Sequence, residues 1–452
     1  MTMHEQRIIE PQRSLEIYGD FDVVVAGGGP AGIAAALAAG RTGRRTLLIE
    51  RYGFLGGAGT AAGLSTFCGL HSNVYGTHTR TTRGLVDDIL DRLDAMDALS
   101  KPHLSLGQRI QAQAYDISAY KIAAEDLLAD AGVEILYHAF AAGLVKEGDH
   151  RIRALFVETK EGRFAITARI FVDATGDADL AHWSGVPIEI GDEHGYTLYP
   201  STMFRINGVD PVKAGAAWEL IPKLMAEEEA RSGVPFPRKH PIVRPQRNPI
   251  EWRSNLTQVK NDDGSPVSGI DARQFSKGEI QGRRQSWDAF DFIRRSVPGF
   301  EDAYIVEIAP QLGIRETRRI VGDYQLSQDD ILGCRDFDDS IGVNGWPVEA
   351  HVSGDVKIVF APNGSRGYNQ IPYRTIVPKQ IENLFVVGRC ASMTHDGQSS
   401  ARVSGPCFSM GEAAGIAADL ALADGTTPRG VDIWRLQDRL RANGVFLGDA
   451  RK

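Results

Sequence analysis

The stretch DVVVAGGGPAG, residues 22–32, decides the fold of this chain. A run of β-branched residues ends in three consecutive glycines, and an alanine-rich segment with helical propensity follows as far as Gly40. A second apolar run, TLLI at residues 46–49, ends at Glu50. This order of strand, glycine turn, helix, strand and acid is typical of a βαβ unit that binds a dinucleotide.

Each part of this stretch has a physical task. Gly27 permits a tight turn, Gly29 lets the backbone approach a pyrophosphate, and Gly32 lets the helix pack closely against the sheet. Glu50 can accept hydrogen bonds from both ribose hydroxyls and would repel a 2′-phosphate. The sequence therefore favours a dinucleotide of the FAD or NAD type over NADP.

The composition is that of an ordinary soluble globular protein. The chain has 452 residues, 42% of them hydrophobic and 24% charged, with a net charge of −8; this length predicts two or three domains. Basic residues do not form blocks, which argues against a nucleic-acid partner. Residues 1–20 form a polar lead-in without a signal-type apolar stretch, and no apolar run is long enough to span a bilayer. We therefore expect a cytoplasmic protein without a membrane partner.

The four cysteines are scattered and form no C-x-x-C pair. This pattern fits a reducing compartment and predicts no zinc site and no cysteine-ligated iron–sulfur cluster. It also argues against a disulfide-reductase mechanism. The cysteines are Cys68, Cys334, Cys390 and Cys407.

The spacing of apolar residues predicts helices over 83–99 and 117–131 and a strand over 133–137. Further strand-like stretches separated by turn signals predict a small antiparallel meander over 141–146, 152–158 and 163–170. A parallel return strand is then expected over 170–173. Near the C-terminus the pattern predicts a last buried strand, a loop and a helix over 383–387, 390–400 and 409–420.

The return strand runs into ATGDAD, residues 174–179, which resembles the A-T-G motif of FAD-binding oxidoreductases of the glutathione-reductase-like superfamily. The stretches PQLGIRETRRIVG (310–322), IPYR (371–374) and NLFVVGRC (383–390) resemble those of the FAD-dependent oxidoreductase family. The resemblance implies an α/β fold: a Rossmann-like FAD-binding domain, with a parallel sheet and an inserted antiparallel meander, plus a mixed α+β substrate domain.

The same resemblance implies a division of the chain into three parts. Residues 1–190 would form the first part of the FAD-binding domain, 191–365 a substrate-binding or cap domain, and 366–452 the C-terminal return to the FAD-binding domain. In the middle part we expect a mixed sheet capped by helices. The run PFPRKHPIVRPQRNP, residues 235–249, is interpreted first as a solvated face, with a surface loop or an oligomer contact left open.

The cofactor that the resemblance implies is FAD, bound non-covalently. The glycine-dense loop after Glu50 would run alongside the pyrophosphate and the flavin ring, although a flexible surface loop is the alternative. The backbone at Ala141 would meet the adenine, and Arg389 would either neutralise a phosphate or form a surface salt bridge. The residues expected at the cofactor are Gly27, Gly29, Pro30, Ala31, Gly32, Glu50, Arg51, Gly56, Gly57, Thr60, Ala141, Ala174, Thr175, Gly176, Asp177, Gly388, Arg389 and Val403.

Three residues are candidates for the chemistry, because the flavin carries the hydride and the protein supplies charge and proton transfer. His395 could act as an acid or base, or it could be a loop histidine held by Asp396. Arg402 could anchor a substrate carboxylate or stabilise reduced flavin. Arg315 is expected to reach the site, whereas its neighbours Arg318 and Arg319 are expected to pair with Glu316 or Asp323.

The function predicted first is an FAD-dependent oxidoreductase, a dehydrogenase or oxidase, that transfers a hydride between flavin and a small polar substrate. The arginines make an anionic substrate the preferred version. The alternatives are a flavin monooxygenase that uses NAD(P)H and oxygen, an electron-transfer subunit of a larger complex, and a non-redox use of FAD. The substrate, the electron acceptor and a homo-oligomeric state are left open by the sequence, and no metal site is expected.

Overall fold

The computed structural model describes residues 8–449. Its β-strands in chain order are β1 (Glu16–Ala26), β2 (Thr46–Ile49), β3 (Thr66–Cys68), β4 (His71–Val74), β5 (Thr77–Arg80), β6 (His103–Ser105), β7 (Ile110–Ala114), β8 (Glu134–Leu136), β9 (Phe140–Glu147), β10 (Arg151–Glu158), β11 (Arg163–Asp173), β12 (Ile188–Ile190), β13 (Phe204–Asn207), β14 (Ile242–Pro245), β15 (Trp252–Asn255), β16 (Tyr304–Ile308), β17 (Arg318–Ile320), β18 (Ser340–Asn344), β19 (Val348–Val352), β20 (Asp355–Val359), β21 (Asn369–Pro372) and β22 (Leu384–Val386).

The α-helices in chain order are α1 (Pro30–Arg41), α2 (Leu85–Ala95), α3 (Ile117–Asp130), α4 (Asp179–Ser184), α5 (Pro211–Ala214), α6 (Ala217–Ser232), α7 (Ala272–Ser296), α8 (Gln328–Leu332), α9 (His395–Ala401), α10 (Ser404–Asp424) and α11 (Ile433–Ala442). Residues 1–7 of the predicted lead-in lie outside the described residues, whereas residues 16–20 already belong to β1.

The main sheet contains the predicted parallel unit and the predicted meander. Its parallel strands follow the order β8–β2–β1–β11, and β22 lies parallel to the C-terminal half of β11. The N-terminal half of β11 pairs antiparallel with β10, which pairs with β9. The expected break at residue 170 was wrong, since β11 is one continuous strand that serves both arrangements. The parallel strands β1, β2, β11 and β22 all end at one edge of this sheet.

The β-branched run of β1 is buried on both faces, as in other parallel strands covered by two layers. Val23 and Val25 pack into the core that contains Ile33 of α1. Val24 points to the opposite face and packs into the core that contains Leu155 of the meander. The consecutive valines are therefore required because neither face of this strand meets solvent.

Helix α10 brings the C-terminal part of the chain against the first glycine turn. A Cβ atom at Gly411 would lie 2.0 Å from the Ala31 carbonyl oxygen, and one at Gly415 would lie 2.4 Å from that of Ala35. Only glycine allows α1 and α10 to approach so closely. The helix begins at Ser404, earlier than predicted, and the predicted loop before it contains α9.

A second sheet lies between residues 204 and 308, with the strand order β14–β15–β13–β16. Every pairing in it is antiparallel, so the expected mixed sheet was wrong. Its core includes Trp252, Phe290 and Phe300, and the helices α6 and α7 contribute to that core. The run at 235–249 is solvated only in part, since Lys239, His240 and Arg247 are exposed, whereas β14 lies within the run and Arg238 is only 2% exposed. Within residues 8–449, no helix combines the length and apolar character needed to cross a bilayer.

Candidate functional site

A deep cavity opens at the edge where the parallel strands end. Residues of the glycine turn, the loop after β2, the meander, the turn after β11 and the segment after β22 all line it. Two separated parts of the chain therefore form one binding space, as the sequence predicts. The predicted cofactor residues that line it are Gly27, Gly29, Pro30, Ala31, Glu50, Arg51, Gly57, Ala141, Ala174, Thr175, Gly176, Asp177, Gly388, Arg389 and Val403.

The glycines of the first turn have different tasks. Gly27 has φ +104°, and a Cβ atom there would lie 2.4 Å from the Ala174 carbonyl oxygen. Gly32 does not line the cavity, and its added Cβ would lie 1.8 Å from the carbonyl oxygen of Gly27. At Gly29 the nearest atom to an added Cβ is the Gly57 Cα, 3.8 Å away. Gly29 therefore keeps space free in the cavity, whereas Gly27 and Gly32 allow the chain to pack.

Gly56 and Thr60 support the glycine loop from outside the cavity lining. The Gly56 amide donates to the Gly28 carbonyl at 2.8 Å, which joins this loop to the first turn. The Thr60 hydroxyl donates to the Leu55 carbonyl at 2.7 Å. Gly56 and Thr60 therefore support the loop that carries Gly57, and they do not line the cavity as predicted.

Two helices begin at the cavity without a side-chain cap. Gly29 precedes α1, whose first residue is Pro30, and Val403 precedes α10. At neither N-terminus does the N-cap side chain accept a hydrogen bond from the backbone N–H groups of the helix. Because helix N-termini carry unpaired N–H groups and the positive dipole end, both favour negative charge in the cavity.

Glu50 lines the cavity at the end of β2 and is held by two backbone amides. Its Oε2 accepts from Gly28 N at 2.7 Å, and its Oε1 accepts from Tyr52 N at 3.0 Å. The Glu50 carbonyl accepts from Ala139 N at 3.0 Å, which brings the start of the meander alongside. A carboxylate oxygen can accept more than one hydrogen bond, so both oxygens can still accept from ribose hydroxyls.

The turn after β11 is built around the fully buried Asp173. Its carboxylate accepts from Thr175 Oγ1 at 2.7 Å and from Ala181 N at 3.0 Å, and burial raises its pKa to about 6. Asp177 in the same turn accepts from Arg389 Nη2 at 2.8 Å. Arg389 Nη1 is buried without a hydrogen-bond partner. Arg389 therefore combines an ion pair with an unused donor in the cavity, and it is not part of a surface salt bridge.

The inner end of the cavity is lined by aromatic and small apolar residues, together with Arg402. The rings of Phe67 and Tyr115 have centroids 4.2 Å apart. Tyr115 was missed by sequence reasoning, since it lies in an ordinary strand–helix junction without a motif. Burial raises its pKa well above the ordinary value, so its hydroxyl is protonated and can donate. Arg402 follows the last residue of α9, and its Nε is buried without a partner.

The structure does not bring His395 or Arg315 to the cavity lining. His395 Nδ1 lies 2.9 Å from Glu316 Oε2, so the expected support from Asp396 was wrong. Arg315 donates to the Tyr199 carbonyl at 2.7 Å.

The neighbouring arginines are both ion-paired. Arg319 pairs with Glu316 as predicted. Arg318 pairs instead with Asp179, at 2.8 Å, because β17 places it beside the turn after β11. The Arg318 pair connects the stretch 310–322 to Asp179, which lines the cavity, whereas Arg318 and Arg319 do not line it.

The cavity fits FAD. The open position of Gly29 and the two uncapped helices suit a pyrophosphate and an anionic flavin, Glu50 suits a ribose, and Arg389 has a donor to spare. Within the described ranges, no group of three or more His, Cys, Asp or Glu residues could hold a metal ion. All four cysteines are free thiols.

Comparison with known proteins gives one family and several remote structures. The family model described as FAD dependent oxidoreductase matches residues 22–440. No curated protein matches the chain.

Three solved structures illustrate the remote similarity. The first is a geranylgeranyl bacteriochlorophyll reductase-like protein from Thermoplasma acidophilum: 14% identity, 94% of this chain and 84% of the other covered, TM-score 0.47. The second is a p-nitrophenol 4-monooxygenase from Pseudomonas putida DLL-E4, which is 11% identical; the match covers 96% of this chain and 90% of the other, with a TM-score of 0.49. A flavin-dependent brominase has 13% identity, 94% and 83% covered, and TM-score 0.47.

Proposed function

Because this chain belongs to the FAD dependent oxidoreductase family and FAD is its cofactor, we propose that it transfers a hydride between FAD and a small polar organic substrate. The observation that carries this proposal is the inner end of the cavity. There, Arg402 lies in one lining with Gln311 and Ile314 of the middle part of the chain and with Ala61, Ala62, Leu64, Thr66, Phe67 and Tyr115. This arrangement leaves polar groups facing a space beyond the glycine turn, where a substrate can reach the ring end of the cofactor.

The residues of the chain divide the work between holding FAD and orienting the substrate. Glu50 would hold the ribose, and the start of α1 with Arg389 would hold the pyrophosphate. FAD, when bound, supplies the acceptor or donor of the hydride. The protonated Tyr115 hydroxyl would donate a hydrogen bond to a substrate oxygen or nitrogen, and Arg402 would orient an anionic group.

Anaerobic reduction of the purified holoenzyme tests this proposal. A panel of hydroxy acids, amines, sugars and N-heterocycles is mixed with the enzyme, and the loss of oxidised-flavin absorbance is followed. The true substrate class is expected to bleach the flavin. Protein that is colourless and cannot be reconstituted with FAD would contradict the proposal at its root.

A pair of tyrosine variants makes the test specific to the inner end. Tyr115→Phe removes the hydroxyl from the cavity and is expected to slow reduction about two- to tenfold, because a neutral hydrogen bond to the reacting group contributes about 0.5–1.5 kcal/mol. Tyr196→Phe is the matched control, since Tyr196 is 52% exposed. Equal reduction rates in the two variants would remove Tyr115 from the reaction.

The same experiment separates the alternatives. Bleaching by NADPH alone, followed by oxygen uptake, would favour a flavin monooxygenase. Reduction that proceeds only with a partner protein would favour an electron-transfer subunit. The boundaries at residues 190 and 365, non-covalent attachment of FAD, a cytoplasmic location and a homo-oligomeric state stay predictions, as do the lack of nucleic-acid and membrane partners and the identity of the electron acceptor.

A further inference from the structure

Four arginines form a cluster behind the inner end of the cavity. Arg238, Arg253 and Arg315 are 2%, 6% and 7% exposed, and Arg402 lines the cavity itself. They come from the loop after α6, from β15, from the loop before β17 and from the end of α9. We call these four residues the arginine cluster.

Main-chain carbonyls and the Ser201 hydroxyl, rather than carboxylates, are the hydrogen-bond acceptors of the cluster. Arg253 Nη1 donates to the carbonyl of Leu64, a cavity-lining residue, at 2.6 Å. Arg238 Nε donates to the His240 carbonyl at 2.6 Å. Three guanidinium nitrogens are buried without any partner: Arg238 Nη1, Arg253 Nε and Arg402 Nε. None of the ion pairs found among residues 8–449 involves an arginine of the cluster, whereas the nearby Arg389 is paired.

Little negative charge balances the cluster. Glu349 acts on three of its members, but its own oxygens already lie 2.8 Å from Trp346 Nε1 and 3.0 Å from His351 Nε2. Glu316, which also acts on Arg402, is bound to Arg319 and His395. Burial, followed by the charges of Arg402 and Arg238, holds the pKa of Arg315 well below its ordinary value.

Buried charges are costly unless a counter-charge and hydrogen bonds compensate them. The carboxylates that act on the four guanidinium groups are Glu349, Glu316 and Asp355, and each already has another partner. The cluster therefore has unused capacity for an anion. Guanidinium groups match oxyanions in shape, since two N–H groups can donate to two oxygens at once. Thr66 adds a further buried hydroxyl without a partner at the cavity wall.

On the basis of the proposed function, we propose that the substrate is an organic oxyanion, a carboxylate or a phosphate ester, whose acid group binds Arg402 at the inner end of the cavity. Arg238, Arg253 and Arg315 act as positioning residues, since their positive charge attracts the acid group and their hydrogen bonds to Leu64, His240 and Tyr199 fix the wall behind it. The neutral part of the substrate would then lie toward Tyr115 and the ring end of the cofactor.

Anion titration of the oxidised holoenzyme tests this assignment without turnover. Acetate, benzoate, inorganic phosphate and methyl phosphate are added at constant ionic strength, with acetamide and benzamide as neutral partners, and the visible flavin spectrum is followed. At least one anion series is expected to perturb the spectrum, with dissociation constants roughly tenfold or more below those of the amides. Comparison of the carboxylates with the phosphates identifies the acid group.

Variants link the binding to the cluster. Arg402→Gln is expected to weaken anion binding about 10- to 150-fold, because a hydrogen bond to a charged group contributes that much. Arg402→Lys keeps the charge and should recover part of the affinity. For the positioning residues, Arg253→Gln should weaken binding and Arg253→Lys should restore it, which a purely structural role would not produce. Arg294→Gln, at an arginine exposed on α7, is the control and should bind as the wild type does.

The proposal is overturned if acids and amides bind equally, if no anion perturbs the spectrum, or if Arg402→Gln binds anions as tightly as the wild type. These outcomes are separable from a failure of the proposed function. The titration requires only bound, oxidised FAD, so a yellow enzyme reducible by an uncharged substrate would overturn the anion assignment alone. Loss of FAD, or the lack of reduction by any substrate, would contradict the proposed function instead.

Discussion

Replacement of Gly29 by alanine should separate cofactor binding from folding. The backbone there has φ −76° and ψ −179°, an extended conformation that alanine adopts without strain. The added Cβ would meet only the Gly57 Cα, at 3.8 Å, an ordinary contact distance. The methyl group would therefore take up space in the cavity lining and disturb little of the protein.

The magnitude follows from these contacts. Alanine is a poorer N-cap than glycine, which lowers the free energy of unfolding by a few tenths of a kcal/mol or more. Alanine also restricts the unfolded chain, which raises the free energy of unfolding by about 0.4–1 kcal/mol. The free energy of unfolding of the apoprotein should thus change by less than about 1 kcal/mol. A methyl group forced against a bound pyrophosphate should weaken FAD binding by about 1–3 kcal/mol, or roughly 5- to 150-fold.

Two measurements check this prediction: chemical denaturation of the apoprotein and titration with FAD, followed by quenching of flavin fluorescence. Gly411→Ala is the comparison, because its Cβ would lie 2.0 Å from the Ala31 carbonyl oxygen and would force α1 and α10 apart. That variant should lose about 3 kcal/mol or more of stability. If Gly29→Ala binds FAD within about twofold of the wild type, the pyrophosphate does not lie at this turn.

Three other variants probe separate parts of the structure. Arg389→Gln removes the spare donor and the ion pair with Asp177, and it should raise the FAD dissociation constant roughly tenfold or more; unchanged affinity would contradict the contact. His395→Ala should leave the flavin reduction rate within about twofold of the wild type, because the imidazole pairs with Glu316 and does not line the cavity. Loss of a general acid or base would instead slow reduction by about 10²–10⁴-fold. For Glu412, burial raises the pKa from 4.5 to about 7, so the native state holds a proton that the unfolded state releases over this range. The free energy of unfolding of the wild type should therefore fall by up to about 3 kcal/mol, relative to Glu412→Gln, as the pH rises from 4.5 to 7. Urea titrations at several pH values measure this difference, and parallel pH profiles of the two proteins would contradict the prediction.

The parallel unit could be predicted from the sequence because its determinants are local. These determinants are the consecutive valines of β1, the glycine turn and the alanine-rich start of α1, and they lie within about twenty positions. Together they are typical of one arrangement only, a strand, a tight turn and a helix. The helices α2 and α3 were predicted for a similar reason, since their apolar residues repeat at helical spacing. The prediction that the C-terminal strand meets the first turn came from the family resemblance, and the glycines of α10 give its physical basis.

A motif indicates that a residue type is needed without indicating which neighbour needs it. Gly32 has the packing role predicted for it, since an added Cβ would clash with the Gly27 carbonyl, but it does not line the cavity. Gly56 was expected at the cofactor, and its amide instead donates to the Gly28 carbonyl. His395 shows the same limit, because its partner Glu316 is 79 positions away in the sequence. Adjacency along the chain favoured Asp396, whereas the imidazole pairs with Glu316.

The sequence singled out Arg315 and Arg402 one by one, but it could not predict the cluster, since its members lie on four segments separated by long stretches of chain. By composition, the run around Arg238 has the character of a solvated face. Yet the chain places these guanidinium groups near carboxylates that already have other partners, and an unpaired buried charge lowers stability by several kcal/mol in order of magnitude. An arrangement that only had to fold would replace such groups with apolar residues of similar volume. Their position beside the inner end of the cavity, next to Arg402, therefore points to a ligand that supplies the missing negative charge.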